Sequence, residues 1–330
     1  MSTVMNGDCV TPAFGLNERA YHRFFGTPRW DWLWQRSLLK VLPVVNFSER
    51  DHAEHGGGDV CDAFASFAAA RLPREGMCLV STSGMWGGLQ HVQRGFEFVR
   101  GKLYGARWSA ANLAQLARRL DPDKPTVAMH VRLGDFSSGR EPLEAYRGEF
   151  NVSIPLQWFI EIGTRLRQAW GDRLQFQVFS DGTPEQLAPL IKAVGPVDTS
   201  CTWPSDVSDL LAMSSADLLV CSISSYSLWA AALSKGPYLW FAPQLQVHEG
   251  SWGSIWGHEP GQGADASLTV RSLRAEMNGP SPANRCFAHW PGSELDAAMM
   301  ESLEQCLSRR RRTADLVRFG VVPIRRAAQG

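Results

Sequence analysis

The second half of the chain alternates between short apolar runs and amphipathic segments, and this alternation restricts its fold more than any other feature. The predominantly apolar runs are TVAMHV (126–131), RLQFQVFS (173–180), DLLVCS (217–222) and PYLWFAP (237–243). The segments between them carry apolar residues at helical spacing. Strands separated by helices are typical of a parallel sheet that is covered on both faces. We therefore predict an α/β fold.

Local signals place several of the helices. Pro155 suits the first turn of a helix. TPEQ at 183–186 combines a threonine cap, a proline at N1 and a glutamine at N3, which predicts a helix to about Val194. Ser109 is expected to cap a helix that ends before Asp121. Residues 250–292 are rich in Gly, Pro, Ser and Trp, and we expect them to form an extended covering segment.

Composition limits the classes of partner and the cellular setting. Lys plus Arg equals Asp plus Glu at 33 each, so the net charge is zero. This argues against a dedicated nucleic-acid binder, although one basic cleft remains compatible with it. The seven cysteines include no CxxC pair, which favours free thiols in a reducing compartment. No signal-peptide pattern and no membrane-spanning apolar run occur, so we expect a cytoplasmic protein.

Three predicted strands end in polar groups. The loops are HVRLGD (130–135), FSDG (179–182) and SISSYS (222–227). Ligands of open parallel sheets bind beyond the carboxyl ends of the strands, so we expect a site where these loops meet.

The serine loop and Arg132 together predict a site for a diphosphate that needs no metal. The loop stands before a predicted helix, whose unpaired N–H groups and partial positive charge favour phosphate. Arg132 adds a forked cation that matches phosphate oxygens. The hydroxyl donors of the loop belong to Ser222, Ser224, Ser225 and Ser227.

Each of these residues also has a purely structural interpretation. One serine could serve as a helix cap while the others solvate a turn. Arg132 could form an ion pair with Asp135, and His130, on the same side of its strand as Arg132, could be a satisfied core histidine.

Other polar clusters are assigned no site. Asp121–Asp123 form an Asp-x-Asp pattern, but they precede a strand and are interpreted as a turn. His52 and His55 lack a third ligand nearby, so zinc is not expected. Arg309–Arg312 are interpreted as a solvated helix end, with a peripheral contact to anionic lipid as the alternative.

The three loops, in this order, resemble motifs of the α-1,2-fucosyltransferases, glycosyltransferase family 11. HVRLGDF is similar to their H-x-R-x-G-D motif, VFSDG to the F-S-D element that follows, and DLLAMSSADLLVCSISSYSLWAAALS to their long signature. The α-1,6- and protein O-fucosyltransferases share the first and last elements more loosely. The resemblance covers residues 126–243, and SGMWGGLQHVQRGFEF extends it upstream to residue 83.

The resemblance implies a GT-B-like fold of two Rossmann-like domains that face a cleft. The implied division is a divergent or incomplete acceptor-side domain over 1–150 and a nucleotide-sugar domain over 151–330. The family usually opens with a Gly-rich loop, which GGGDV at residue 56 matches poorly.

The implied activity is inverting, metal-independent transfer of fucose from GDP-fucose to a glycan acceptor, without any other cofactor. Arg132 would act on the leaving diphosphate. Asp135 and Glu141 are the candidates for a base, although a loose transition state could need little base assistance. The donor-binding set is His130, Arg132, Ser180, Asp181, Asp206, Asp209, Ser222, Ser224, Ser225 and Ser227.

Two other functions compete with this one. A catalytically inactive protein that keeps the GT-B core could serve in binding or as a scaffold. An unrelated nucleotide-binding enzyme could use the same doubly wound sheet.

Overall fold

The computed structural model describes residues 40–56, 60–73, 76–82, 95–134, 141–147, 149, 152–202, 206–248, 251–254, 257–259 and 285–318. Its amino-terminal part holds β1 (Val44–Phe47), α1 (Glu49–Glu54), α2 (Val60–Arg71) and β2 (Leu79–Thr82). The two strands pair in parallel, with Val44 opposite Leu79. This strand–helix–strand unit packs Phe47 against Phe67 of α2, with ring centroids 4.8 Å apart.

The remaining strands form a parallel sheet and a small antiparallel one. Among the described residues, the parallel sheet has five strands in the order β10-β6-β5-β3-β4, and the antiparallel sheet runs β7-β8-β9. The strands are β3 (Thr126–Val131), β4 (Gln175–Ser180), β5 (Leu218–Val220), β6 (Tyr238–Phe241), β7 (Gln246–His248), β8 (Ser251–Ser254), β9 (Gly257–Glu259) and β10 (Cys286–His289).

Helices precede, connect and follow the strands of the parallel sheet. They are α3 (Phe96–Tyr104), α4 (Arg107–Ala117), α5 (Leu156–Trp170), α6 (Pro184–Val194), α7 (Asp206–Ser214), α8 (Ser225–Leu233) and α9 (Ala297–Arg318). Short 3-10 turns lie at Leu143–Tyr146, Gly171–Arg173 and Ala242–Gln244.

The parallel sheet separates two hydrophobic cores. Along β3, Val127, Met129 and Val131 face one side, where they pack against α5, α6 and α9. Ala128 faces the other side, where α7 and α8 cover the sheet. Every residue of β3 is buried. The continuous apolar run is therefore explained by cover on both faces, as the α/β interpretation predicts.

The strand order creates a crevice at the middle of the sheet. From β3 the chain crosses to β4 on one side and then returns to β5 on the other. Taken in chain order, the five strands follow the arrangement 2-1-3-4-5, which is common among doubly wound sheets. The connections leave β3 and β5 in opposite directions, which opens a ligand crevice beyond their carboxyl ends.

Three expectations from the sequence need correction. The boundary predicted at residue 150 falls inside the parallel sheet, because β3 lies between β4 and β5. The expected covering segment of residues 250–292 contributes β10 to that sheet, a strand of four residues that is too short to show a pattern. Ser109 does not cap α4, which begins at Arg107.

The reason for the Ser109 error lies in the packing of α4. Ser109, Asn112 and Leu116 form its buried stripe. Asn112 donates a hydrogen bond to Ser208 of α7 over 2.7 Å. Ser109 thus belongs to the buried face of α4, which packs on α7. The sequence analysis had expected it to mark the start of the helix.

The expected turn at Asp121–Asp123 and the expected capping box of α6 are confirmed. Asp121–Asp123 form a turn before β3, in which the Lys124 N–H donates to the Asp121 carbonyl over 3.2 Å. Thr183 caps α6 in a reciprocal capping box with Gln186. In the part of the chain that the structure describes, no helix has the length and apolar character needed to cross a membrane.

Candidate functional site

His130 connects β3 to the serine loop across the central crevice. Its side chain is 4% exposed. The ring Nδ1 lies 2.6 Å from the Ser227 Oγ and 3.0 Å from the Ser222 Oγ. The Ser222 N–H also donates to the Ser227 Oγ over 3.1 Å. These contacts fix the serine loop against the end of the neighbouring strand.

The His130 ring is uncharged at neutral pH. Burial, with the nearby Arg132 charge as a second cause, lowers the pKa of His130 to about 4, although Asp181 acts in the opposite direction. A neutral imidazole accepts a hydrogen bond at one nitrogen, which suits a serine hydroxyl as donor. The histidine is therefore a structural link between two loops of the site.

The serine loop divides into an inner and an outer pair. Ser222 and Ser227 are 1% and 0% exposed, and both face His130. Ser224 caps α8 and accepts a hydrogen bond from the Tyr226 N–H over 3.2 Å. Ser225 is exposed at the first position of α8. The outer pair, together with the first N–H groups of α8, is what the loop offers to an anion.

Tyr226 joins the starts of α7 and α8. Its hydroxyl donates a hydrogen bond to the backbone carbonyl of Asp206, the first residue of α7. Its ring lies 5.2 Å from the His130 ring, centroid to centroid. The tyrosine therefore forms a wall of the crevice, a role that the sequence analysis did not assign.

Arg132 pairs with Asp181, a partner that the sequence analysis did not consider for it. The Arg132 Nη1 lies 3.0 Å from the Asp181 Oδ2. Val131 and Ser180 are register partners on β3 and β4, so the residues that follow them leave the sheet at the same level. This register is the signal that would have revealed the pair.

Asp181 also holds the backbone after Arg132. The Leu133 N–H donates to the Asp181 Oδ1 over 2.8 Å. Partial burial raises the pKa of the Asp181 carboxyl, but hydrogen bonds from the Leu133 and Gly134 N–H groups and the Arg132 charge outweigh it. The net pKa lies below the ordinary value, so the group is ionised at neutral pH.

Two further expected donor residues, Ser180 and Asp209, lie on β4 and α7. Ser180 shares a face of β4 with Phe176 and Val178, on the side opposite Phe179, and its Oγ accepts the Gly182 N–H over 2.9 Å. Asp209 lies on α7, where burial, followed by the negative charge of Asp206, raises its pKa to about 6. Ser180 supports a turn, and Asp209 lies within one turn of Asp206.

The remaining expected site residues are only partly described. Asp135 lies outside the described residues, and so do the side chains of Arg310–Arg312. Arg309 donates to the Gln305 carbonyl of its own helix over 3.3 Å. In the described portion of the chain, no group of three or more His, Cys, Asp or Glu side chains could hold a metal ion.

The structure thus joins the end of β3 to the end of β5 through the contacts of His130, and to the end of β4 through the Arg132–Asp181 pair. Arg132 supplies a cation, and the start of α8 with Ser224 and Ser225 supplies neutral donors. A guanidinium and the N–H groups at a helix start are both groups that bind phosphate. No family model and no curated protein sequence matches this chain.

Proposed function

We propose that the chain is a metal-independent, inverting glycosyltransferase that moves fucose from GDP-fucose to a glycan hydroxyl. The observation that carries the proposal is the contact between His130 of β3 and Ser222 and Ser227 of the serine loop. That contact lies at the crevice where ligands of doubly wound sheets bind. Arg132 stands two residues beyond His130, at the same edge of the sheet.

The donor diphosphate is the part of the substrate that this chemistry fits best. Arg132 would bind its oxygens through the guanidinium, and the N-terminus of α8 would add N–H donors. His130 would not touch the donor, since its Nδ1 already meets the two inner serines. Its role would be to hold the loop in place.

In the proposed reaction, an acceptor hydroxyl attacks the anomeric carbon of fucose as the bond to the diphosphate breaks. Negative charge develops on the leaving GDP, and Arg132 with the start of α8 would stabilise it. The acceptor proton passes to a base. Asp135 and Glu141 remain the candidates from the sequence, and no described contact selects between them.

The GT-B-like arrangement is part of the proposal. Its support is the parallel strand–helix–strand unit from β1 to β2, which is one βαβ unit of the kind that Rossmann-like domains repeat. That unit would supply the acceptor side of the cleft.

Calorimetric titration with GDP tests the donor site. We expect the wild type to bind GDP and Arg132→Ala to lose at least about tenfold in affinity, because hydrogen bonds to charged groups contribute about 1.5–3 kcal/mol each. Arg118→Ala, at an exposed position after α4, is the matched control and should bind as the wild type does. Equal binding of UDP, ADP and GDP would contradict a guanosine donor.

Turnover separates an enzyme from a binding protein. GDP release from GDP-fucose should depend on an added galactoside, and EDTA should leave the rate unchanged. GDP binding without turnover over a panel of galactosides would favour the inactive scaffold. A strict requirement for Mg²⁺ or Mn²⁺ would overturn the metal-independent donor site.

A further inference from the structure

We infer that Asp181 is a positioning residue that orients Arg132 and its loop for an anionic ligand, and does not itself contact that ligand. The inference rests on the proposed function for the identity of the anion. It changes the role of Asp181, which the sequence resemblance placed among the donor-binding residues.

The contacts of Asp181 are all directed at the segment that follows β3. One carboxylate oxygen accepts the Leu133 N–H over 2.8 Å, and the other lies 3.0 Å from the Arg132 guanidinium. The Gly134 N–H is a further donor to this carboxylate. A single side chain on the β4 loop therefore engages three consecutive residues of the β3 loop.

The charge of Asp181 argues against a direct contact with a diphosphate. The carboxylate is ionised at neutral pH, because its pKa lies below the ordinary value. Two anions in contact repel each other. By pairing with the Arg132 guanidinium, the Asp181 carboxylate restricts the plane and the rotamers of Arg132. Less side-chain entropy of Arg132 is therefore lost when an anion binds.

Gly134 shows that the approach of Asp181 depends on a small neighbour. A Cβ added at Gly134 would lie 2.6 Å from the Asp181 Oδ2, which is closer than real Cβ contacts allow. A side chain at this position would displace the carboxylate. Gly134→Ala is therefore a second way to disturb Asp181 that alters no charge.

Amide hydrogen exchange tests the arrangement without any ligand. We expect Asp181→Ala to speed exchange at the Leu133 N–H by about tenfold, because its acceptor is lost. Gly134→Ala should have a similar effect. Glu185→Gln, an exposed change in the first turn of α6, is the control and should leave the rate as in the wild type. An unchanged Leu133 rate in both test variants would overturn the inference.

A double-mutant cycle on GDP affinity tests whether Asp181 acts through Arg132. Asp181→Asn should weaken GDP binding about tenfold when Arg132 is present. In the Arg132→Lys background it should weaken binding by less than about twofold, because the planar guanidinium is already lost there. Additive losses would indicate a merely structural role and overturn the inference, as would tighter GDP binding by Asp181→Asn.

The two experiments separate this inference from the proposed function. If the wild type binds no GDP, the proposed donor is wrong, and the Leu133 exchange rates still decide whether Asp181 holds the loop. If GDP binds and the cycle is additive, the donor site stands and the positioning role falls.

Discussion

At the scale of single residues, His130 is a titratable group that is almost fully removed from water. Its Nδ1 meets two serine hydroxyls, and the ring lies close to the Arg132 charge. Protonation there would place a cation in a buried site beside another cation. The native state therefore resists protonation of His130, whereas the unfolded chain does not.

This difference predicts a pH-dependent stability. The pKa of His130 is about 4 in the folded protein, and the unperturbed value is about 6.5. Between these values the unfolded state binds more protons, so the contribution of His130 to stability is complete above pH 6.5 and is lost as the pH falls toward 4. We expect this contribution to fall by about 2 kcal/mol between pH 7 and pH 5.

Urea unfolding of His130→Gln at the two pH values measures that contribution. The variant should lose less stability than the wild type between pH 7 and pH 5. Asp209 acts in the opposite direction, because a carboxyl whose pKa is raised to about 6 favours the folded state at lower pH. Identical losses in the wild type and His130→Gln would show that His130 is not held neutral.

The serines show how far residue-level reasoning reached. The sequence placed all four in a loop between a strand and a helix, and the structure leaves Ser222 and Ser224 there, whereas α8 begins at Ser225 and includes Ser227. The sequence could not separate Ser222 and Ser227 from Ser224 and Ser225, because that division depends on which hydroxyls meet His130 from another strand. The Arg132–Asp181 pair was missed for a related reason, since it depends on the register between β3 and β4.

At the scale of elements, Gly163 of α5 lies at a close approach of two helices. A Cβ added there would lie 2.3 Å from the Val194 Cγ1 of α6 and 3.4 Å from the Met129 Cε of β3. The absence of a side chain lets α5 lie close to α6 above the sheet. This requirement outweighs the usual cost of glycine inside a helix.

Two glycine-to-alanine changes should therefore have opposite effects. Gly163→Ala should destabilise the protein by about 1–3 kcal/mol through overpacking. Gly101→Ala in α3 meets nothing within 4 Å, and it should stabilise by about 0.5–1 kcal/mol through helix propensity. Urea midpoints of the two variants provide the measurement, and stabilisation by Gly163→Ala would contradict the packing described here.

The elements themselves were largely readable from the sequence. The strands β3 to β6 and the start of α6 carried clear patterns, since buried strands are rich in apolar residues and caps have distinct residues. The strand β10 was not readable, because four residues give no period and their partner β6 lies far away in sequence. Tertiary pairing alone makes them a strand.

At the scale of the whole molecule, β3 is the part on which the parallel sheet depends. It pairs with β4 on one side and β5 on the other. A fragment of residues 151–330 lacks this strand, so its sheet would have two exposed inner edges and an open core.

We therefore expect that fragment to show no cooperative unfolding transition, because both halves of its sheet lose their central partner. A fragment of residues 95–330, which keeps α3, α4 and β3, should regain a cooperative transition. Urea titration followed by circular dichroism compares the two. Cooperative unfolding of the shorter fragment would restore the boundary at residue 150 that the sequence suggested.

Tyr226 ties the beginning of α8 to α7, and the far end of the same helix is tied as well. The Arg285 guanidinium donates to the carbonyls of Ala231 and Gly236, just before β10 enters the sheet. Helix α8 is therefore held at both of its ends, by Tyr226 at its start and by Arg285, next to the edge strand β10, at its end. Loss of the Arg285 contacts would therefore shift α8, and with it Ser224 and Ser225, without any change to a residue of the serine loop itself.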